Sequence, residues 1–369
     1  MKILVAVVDY PDDKGNKSMY YVHSRNLYYA KNGIETVVLN FGADRDYMID
    51  GIKVITLDTY YREKVDFDLL VCHAPNVRNH HKFIKKERGR FPQIICVFHG
   101  HEVLYTDRYY PAPFSFFRSH TYGLKRNIHK VYDRFKISVW KKEFRRYKDR
   151  YRFIFVSQWM YDQFRNCFGV RYEEFRDISS VISNSIGEYF EKHKYSPTEN
   201  EYDFITIRSN LDEPKYGVDI VVDIARANPE YSFLLIGRGK IFEHIEKPEN
   251  LHWINEKMSH DRLCGYIDRS TAALMPTRLD AQGLMACELA AYGIPLITSD
   301  IDINREVLSD CGRAFFIDND DAAKSFAAIT AGTDLTDKKY RFEWKRFYAE
   351  NTIYKEIDFI KNLIADDEQ

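Results

Sequence analysis

The chain has 369 residues, enough for two domains at roughly 150 residues each. Apolar residues make up 45% and charged residues 30%, which supplies a full core and excludes a disordered chain. With 54 Lys and Arg against 55 Asp and Glu the net charge is -1, which excludes a globally basic nucleic-acid binder and leaves room only for a local basic patch.

In chain order, Ile3–Val8 reads as a buried strand. It runs straight into Asp9 with no cleavage-like site, so it does not read as a signal segment. A polar loop follows at Tyr10–Lys17, then a helix over Tyr20–Asn32 that stops at Gly33. Apolar runs at Thr36–Leu39, Leu69–Cys72, Ile94–Phe98, Phe153–Val156 and Val181–Ile182 are further strands. Polar residues dominate from about Phe190 to Tyr202, and the alternation then restarts. Strands are expected at Phe204–Ile207, Phe233–Ile236, Ala272–Met275 and Pro295–Thr298, with helices at Val218–Arg226, His260–Asp268 and Gly283–Tyr292. Continuous apolar runs separated by helices imply parallel sheets covered on both faces. The fold class is therefore α/β, with two doubly wound parallel-sheet domains facing a cleft. The expected boundaries are a first domain over 1–189, a linker over 190–201, a second domain over 202–345, and a C-terminal helix over 346–369 that crosses back to the first domain. In such sheets ligands bind at the carboxyl ends of the strands. No run approaches ~18 uncharged apolar residues, so no membrane span is expected. Cys72, Cys96, Cys167, Cys264, Cys287 and Cys311 form no Cys-x-x-Cys pair and mostly sit in apolar runs. They read as reduced core thiols of a cytoplasmic protein rather than as disulfides or metal ligands.

The strongest motif follows the strand ending at Met275: Pro276-Thr277-Arg278-Leu279-Asp280-Ala281-Gln282-Gly283-Leu284-Met285-Ala286-Cys287-Glu288, then Gly293-Ile294-Pro295. A helix starting near Gly283 offers free N–H groups to a phosphate. Glu288, in the second turn, can accept hydrogen bonds from a ribose diol, and Asp280 can touch a sugar hydroxyl. The plainer reading is a capped helix with solvated acids.

This stretch resembles the E-x7-E signature of retaining glycosyltransferases of family 4, which have the GT-B fold of two Rossmann-like domains. Asp280 stands where the family usually has Glu, and Glu288 matches the second acid. The resemblance implies that Gly283 and Leu284 supply phosphate-binding amides, that Asp280 contacts the donor sugar, and that Glu288 binds the nucleotide ribose. Arg208 and Lys215-Tyr216-Gly217-Val218-Asp219 resemble the family's Arg and Lys-Gly-hydrophobic-Asp pattern, with Tyr216 inserted. There, Arg208 and Lys215 would hold the donor diphosphate and stabilise its charge as it leaves. Gly15 stands in the loop where the family has a Gly-rich turn, beside Lys14, Asn16 and Lys17. His99, in Phe98-His99-Gly100-His101-Glu102, resembles the histidine that reaches the reacting sugar; a structural histidine or a His99/His101 metal pair are the alternatives. Ser157 and Asn184 fall in weaker family elements and read as supporting structure.

The implied activity is transfer of a sugar from a nucleotide-diphosphate donor, UDP-linked, to a saccharide acceptor in cell-envelope polysaccharide or glycoconjugate synthesis, with no metal and no cofactor. The alternatives are a non-catalytic nucleotide- or carbohydrate-binding protein of the same fold, or a sugar-nucleotide epimerase. Three Asp-x-Asp strings, at Asp66, Asp300 and Asp318, carry a metal reading that belongs to another glycosyltransferase class.

The segment Lys125–Arg152 holds twelve Lys or Arg and three acids. Ile128, Val131, Tyr132, Phe135, Val139, Trp140, Phe144 and Tyr147 recur at helical intervals. The expectation is one basic amphipathic helix on an anionic membrane surface, which would place the protein in the cytoplasm or at the inner membrane face beside a lipid-linked acceptor. A helix that grips an acidic chain, or a packed helix with a solvated basic face, is the alternative. The aromatic stretch Tyr105–Phe117 is a candidate acceptor surface.

Overall fold

A computed structural model of the chain describes residues 1–16, 18–337 and 343–367. The chain forms two compact units. The first takes Met1–Thr106, Ile128–Ser185 and the chain from Ala349 onward; the second takes Asp107–Asn127 and Ile186–Tyr348.

The first unit holds strands β1 (Lys2–Val7), β2 (Glu35–Asn40), β3 (Tyr47–Ile49), β4 (Ile52–Ile55), β5 (Leu69–His73), β6 (Gln93–Phe98), β7 (Tyr151–Phe155) and β8 (Ser179–Val181). Their order is β3-β4-β2-β1-β5-β6-β7-β8, parallel throughout except for the β3–β4 hairpin. That hairpin turns on Asp50 and Gly51, both with positive φ, the pairing that matches the twist of two adjoining strands. The second unit holds β9 (Tyr202–Asn210), β10 (Phe233–Arg238), β11 (Leu251–Ile254), β12 (Ser270–Met275), β13 (Leu296–Ser299) and β14 (Ala314–Ile317). These run in the order β11-β10-β9-β12-β13-β14, all parallel.

In each sheet the chain reverses its direction of travel beside the first strand. Here β1 lies between β2 and β5, and β9 between β10 and β12. The carboxyl ends of β1 and β5, and of β9 and β12, are therefore the switch points where ligands bind in such sheets.

Ile3, Val5 and Val7 of β1 pack in one cluster with Ile353, Ile357 and Ile360 of the C-terminal helix Ile353–Asp367. The same helix brings Glu356, fully buried, against the buried Arg25 at 3.0 Å. On the other face of the sheet Phe98, Phe144, Phe153 and Phe164 stack and cross edge to face, which absorbs much of the aromatic content. All six cysteines are buried and free. The polar stretch after Phe190 is tied to the second unit by backbone bonds from Tyr195 to Tyr292 (2.7 Å) and from Thr198 to Asp268 (2.8 Å).

The basic segment differs from the expected single helix. The helix spans Tyr122–Arg146, a short turn follows at Lys148–Arg150, and Tyr151 and Arg152 open β7. Pairing with Ile94 and Ile95 of β6 claims those two residues for the sheet. The expected apolar stripe also divides. Ile137, Trp140 and Phe144 are buried, whereas Ile128, Val131, Tyr132 and Phe135 are exposed. The aromatic stretch divides likewise. Phe114 and Phe116 pack against the second unit's core, where Phe116 and Phe117 flank the His244 ring, each at 4.9 Å.

Candidate functional site

In the second unit the switch point collects two cations around one ring. Arg208 sits near the carboxyl end of β9 and Lys215 in the turn Pro214–Tyr216. The Arg208 guanidinium lies 5.5 Å and the Lys215 ammonium 4.7 Å from the centre of the Tyr216 ring. Lys215 also lies 5.8 Å from the ring of Tyr110. Tyr216 interrupts the family-like Lys-Gly pattern and in the sequence reads only as an insertion. Here its π face holds both cations.

Arg208 is 8% exposed, and its Nη2 donates to the Pro276 carbonyl at 2.7 Å. Its Nε, buried, has no hydrogen-bond partner. Burial pushes the guanidinium down to about 10, with Asp280 and Tyr216 pulling the other way, so it stays charged at neutral pH. Among the described residues no carboxylate forms an ion pair with it. A desolvated cation with an unused donor is costly unless something anionic completes it.

The turn that carries Lys215 is braced. Thr277 Oγ1 and the Arg278 N–H donate to the Lys215 carbonyl at 2.8 and 2.7 Å. Arg278 also forks onto Asp219 at 2.8 and 2.7 Å. The Asp of the Lys-Gly-hydrophobic-Asp pattern therefore serves the loop after β12. Gly217, with φ +62°, would put a Cβ 2.7 Å from the Pro276 carbonyl oxygen, so only glycine fits that turn.

Asp280 Oδ1 accepts from the N–H groups of Ala281 and Gln282 at 2.8 and 3.2 Å, so it shapes its own loop while its second oxygen lies toward Gly283. The helix Leu284–Tyr292 begins immediately after Gly283, which leaves the first-turn amides of Leu284 and Met285 at its open end. Glu288 is buried on the same helix and its carboxyl is pushed up to about 7 by burial, against a hydrogen bond from the Gly187 N–H. A Cβ on Gly187 would lie 3.9 Å from Glu288 Oε1 and 3.5 Å from the His260 ring. Glu288, Gly187 and His260 thus form a second group, in which Gly187 and His260 carried no recognisable sequence signal.

In the first unit His99 follows β6 and meets His73, the last residue of β5, with His99 Nε2 3.1 Å from His73 Nδ1. Burial first, and the charge of Arg25 with it, depress both imidazoles below the usual histidine range. The Glu102 carboxylate accepts from the backbone N–H groups of His99 and Gly100. His101 is exposed and lies beside Glu102. Gly15 caps a turn whose N–H bonds Asp12, and Asn16 is tied to Asp9 at 2.9 Å; Lys17 lies outside the described residues. Ser157 caps the helix Gln158–Phe168, and Asn184 accepts from Arg25.

Among the described residues no group of three or more His, Cys, Asp or Glu has the arrangement of a metal site. Asp300 forks with Arg305 and Asp66 pairs with Arg90, while Asp318 accepts from the Asp320 N–H. No described helix is long and apolar enough to cross a membrane.

Residues 190–343 match the family "Glycosyl transferases group 1". The chain is 30% identical over 114 residues to an uncharacterized 41.2 kDa protein in the cps region of Klebsiella pneumoniae. That stretch is 29% of this chain and 31% of the relative, so the match spans about a third of the relative's length. In structure the chain is similar to sucrose-phosphate synthase from Thermosynechococcus elongatus, with a TM-score of 0.73, 13% identity and 99% of each chain covered. It is also similar to Anabaena HepE in complex with UDP and glucose, with a TM-score of 0.65, 12% identity and coverage of 99% and 100%. The chain has the GT-B fold of two parallel-sheet α/β units, and a glycosyltransferase group 1 match covers most of its second unit.

Proposed function

We propose that the chain is a retaining glycosyltransferase that moves a sugar from a UDP-linked donor to a saccharide acceptor in cell-envelope polysaccharide or glycoconjugate synthesis. Arg208 carries the reading: a buried cation with an unused donor, paired across Tyr216 with Lys215, at the switch point of the sheet. A diphosphate supplies the oxygens that such a pair lacks. The UDP and glucose held by the similar HepE and the cps-region name of the Klebsiella relative support the donor and acceptor classes.

In this reading Arg208, Lys215 and the amides at Gly283 and Leu284 hold the diphosphate. Glu288 takes the ribose, Asp280 and His99 serve the reacting sugar, and Gly15 lies in the loop that lines the donor. The bond from the anomeric carbon to the phosphate oxygen breaks and a bond to the acceptor oxygen forms on the same face. The acceptor proton passes to the departing phosphate, whose growing charge the two cations stabilise. Because cationic side chains meet the phosphates, no metal is required by the step. A binding protein of the same fold is the second reading, favoured by the engagement of Asp280 Oδ1 with its own loop.

Calorimetry with UDP, followed by UDP release from UDP-sugars with candidate acceptors in EDTA, separates these readings. Binding and acceptor-dependent release support the transferase. Binding without turnover supports the binding protein, and no UDP affinity sinks both.

A further inference from the structure

From Ile128 onward the helix Tyr122–Arg146 belongs to the first unit and has a face that this unit does not use. Ile128, Val131, Tyr132 and Phe135 are 57%, 66%, 43% and 54% exposed. Their spacing of three, one and three residues puts them on a single stripe. Lys136, Ile137, Trp140 and Phe144 fill the buried side of the same helix. We propose that this exposed stripe is a docking surface for an anionic phospholipid membrane.

The charges select the partner. Between Ile128 and Arg146 the helix has two acids, and both are buried. Asp133 pairs with Lys136 at 2.8 Å and accepts from Thr106. Glu143 pairs with Arg88 at 2.6 Å and accepts from Tyr151 at 3.0 Å. The exposed charges that remain are Arg134, Lys142, Arg145 and Arg146, all positive. Arg145 is committed to Glu174, and the half-buried Lys141 to the Gly169 carbonyl. Lys142 and Arg146 continue the line of Phe135 along the helix, seven and eleven residues on. The face is therefore apolar toward its start and cationic toward its end, over the roughly 27 Å from Ile128 to Arg146. An anionic bilayer accepts both parts, taking the apolar side chains into the interface and setting lipid phosphates against the cations. A second copy of the chain would offer these cations no exposed acid from the same face, so it would satisfy only the apolar part.

The surface is tested by floating the full chain with vesicles of phosphatidylcholine alone and of equal parts phosphatidylcholine and phosphatidylglycerol. The expected result is flotation with the anionic vesicles, weakened by salt and absent without phosphatidylglycerol. The double variant Lys142→Glu/Arg146→Glu should weaken binding at least roughly 30-fold. Ile128→Ser/Phe135→Ser should weaken it at low and high salt alike. UDP affinity and thermal stability, measured in the same variants, should match the parent, so a failure here stays separate from a failure of the donor-site reading. The proposal is overturned if the parent chain stays soluble with anionic vesicles at low salt. Undiminished flotation of either double variant overturns it too, as does sedimentation showing that the stripe residues hold a dimer.

Discussion

In the proposed reading, Arg208 exchanges stability for binding. Its guanidinium is buried with one bond to Pro276 and an idle Nε. Arg208→Met should therefore leave the ligand-free protein as stable as before or more stable by roughly 1 kcal/mol, since a poorly satisfied buried charge is removed. The same change should abolish the UDP-induced rise in Tm and remove roughly 2–4 kcal/mol of transition-state stabilisation. Thermal unfolding with and without UDP reads both effects; a variant that keeps the UDP shift sinks the assignment. Glu288 adds a pH dependence. Burial holds its carboxyl at about 7 in the free site, while a ribose diol donating two hydrogen bonds favours the carboxylate. Binding then lowers its pKa and releases a proton, so UDP affinity should rise as pH climbs through about 7 and level off above it. Calorimetry across that range checks the slope, and Glu288→Gln should flatten it. The acid's position in the motif is legible in the sequence; its burial is not, because it depends on Gly187, a hundred residues away in the chain.

Among the elements, strands in both sheets were legible because parallel strands buried on two faces read as unbroken apolar runs. The β3–β4 hairpin was not, since its arms are short, although Asp50-Gly51 is the dipeptide that such turns favour. In the sequence the basic helix reads longer than it is, because charge and helical spacing continue into residues that β7 claims. The burial of its acids is not legible either: besides Lys136 on the same helix, their partners Arg88 and Thr106 come from segments well upstream. Gly237 tests how tightly a neighbouring strand end supports the cation site. It interrupts the pairing of β10 with β9, and a Cβ there would fall 1.9 Å from the Arg208 carbonyl oxygen. Gly237→Ala must displace that backbone. It should cost about 1–3 kcal/mol of stability and weaken UDP binding without touching a ligand group. Normal affinity in a folded Gly237→Ala protein would show that the Arg208 backbone moves freely.

For the whole molecule, the units are interleaved in the chain. Asp107–Asn127 belongs to the second unit, and the C-terminal helix belongs to the first. A chain ended after Tyr348 should retain the second unit with its UDP-induced stabilisation. Its first unit should be weakened by at least about 3–5 kcal/mol, the usual cost of stranding one partner of a buried ion pair, here Arg25 without Glu356. Denaturant unfolding with fluorescence and circular dichroism reads this as an earlier transition in the truncated chain. Coincident, unchanged unfolding of the two chains would mean that the helix contributes little.

The same interleaving has a consequence for biosynthesis. A chain made from its amino end emerges with β1 and Arg25 first, yet Ile353, Glu356, Ile357 and Ile360, which close the cluster around them, emerge more than three hundred residues later. At roughly 5–20 residues per second that is a delay of about 15–65 seconds. Throughout it one face of the first sheet lacks part of its cover and Arg25 lacks its counter-charge, and before it ends every strand of the second unit has been made. The unit begun first is thus completed last, and the nascent protein spends that interval as a client for whatever holds unfinished apolar surfaces apart.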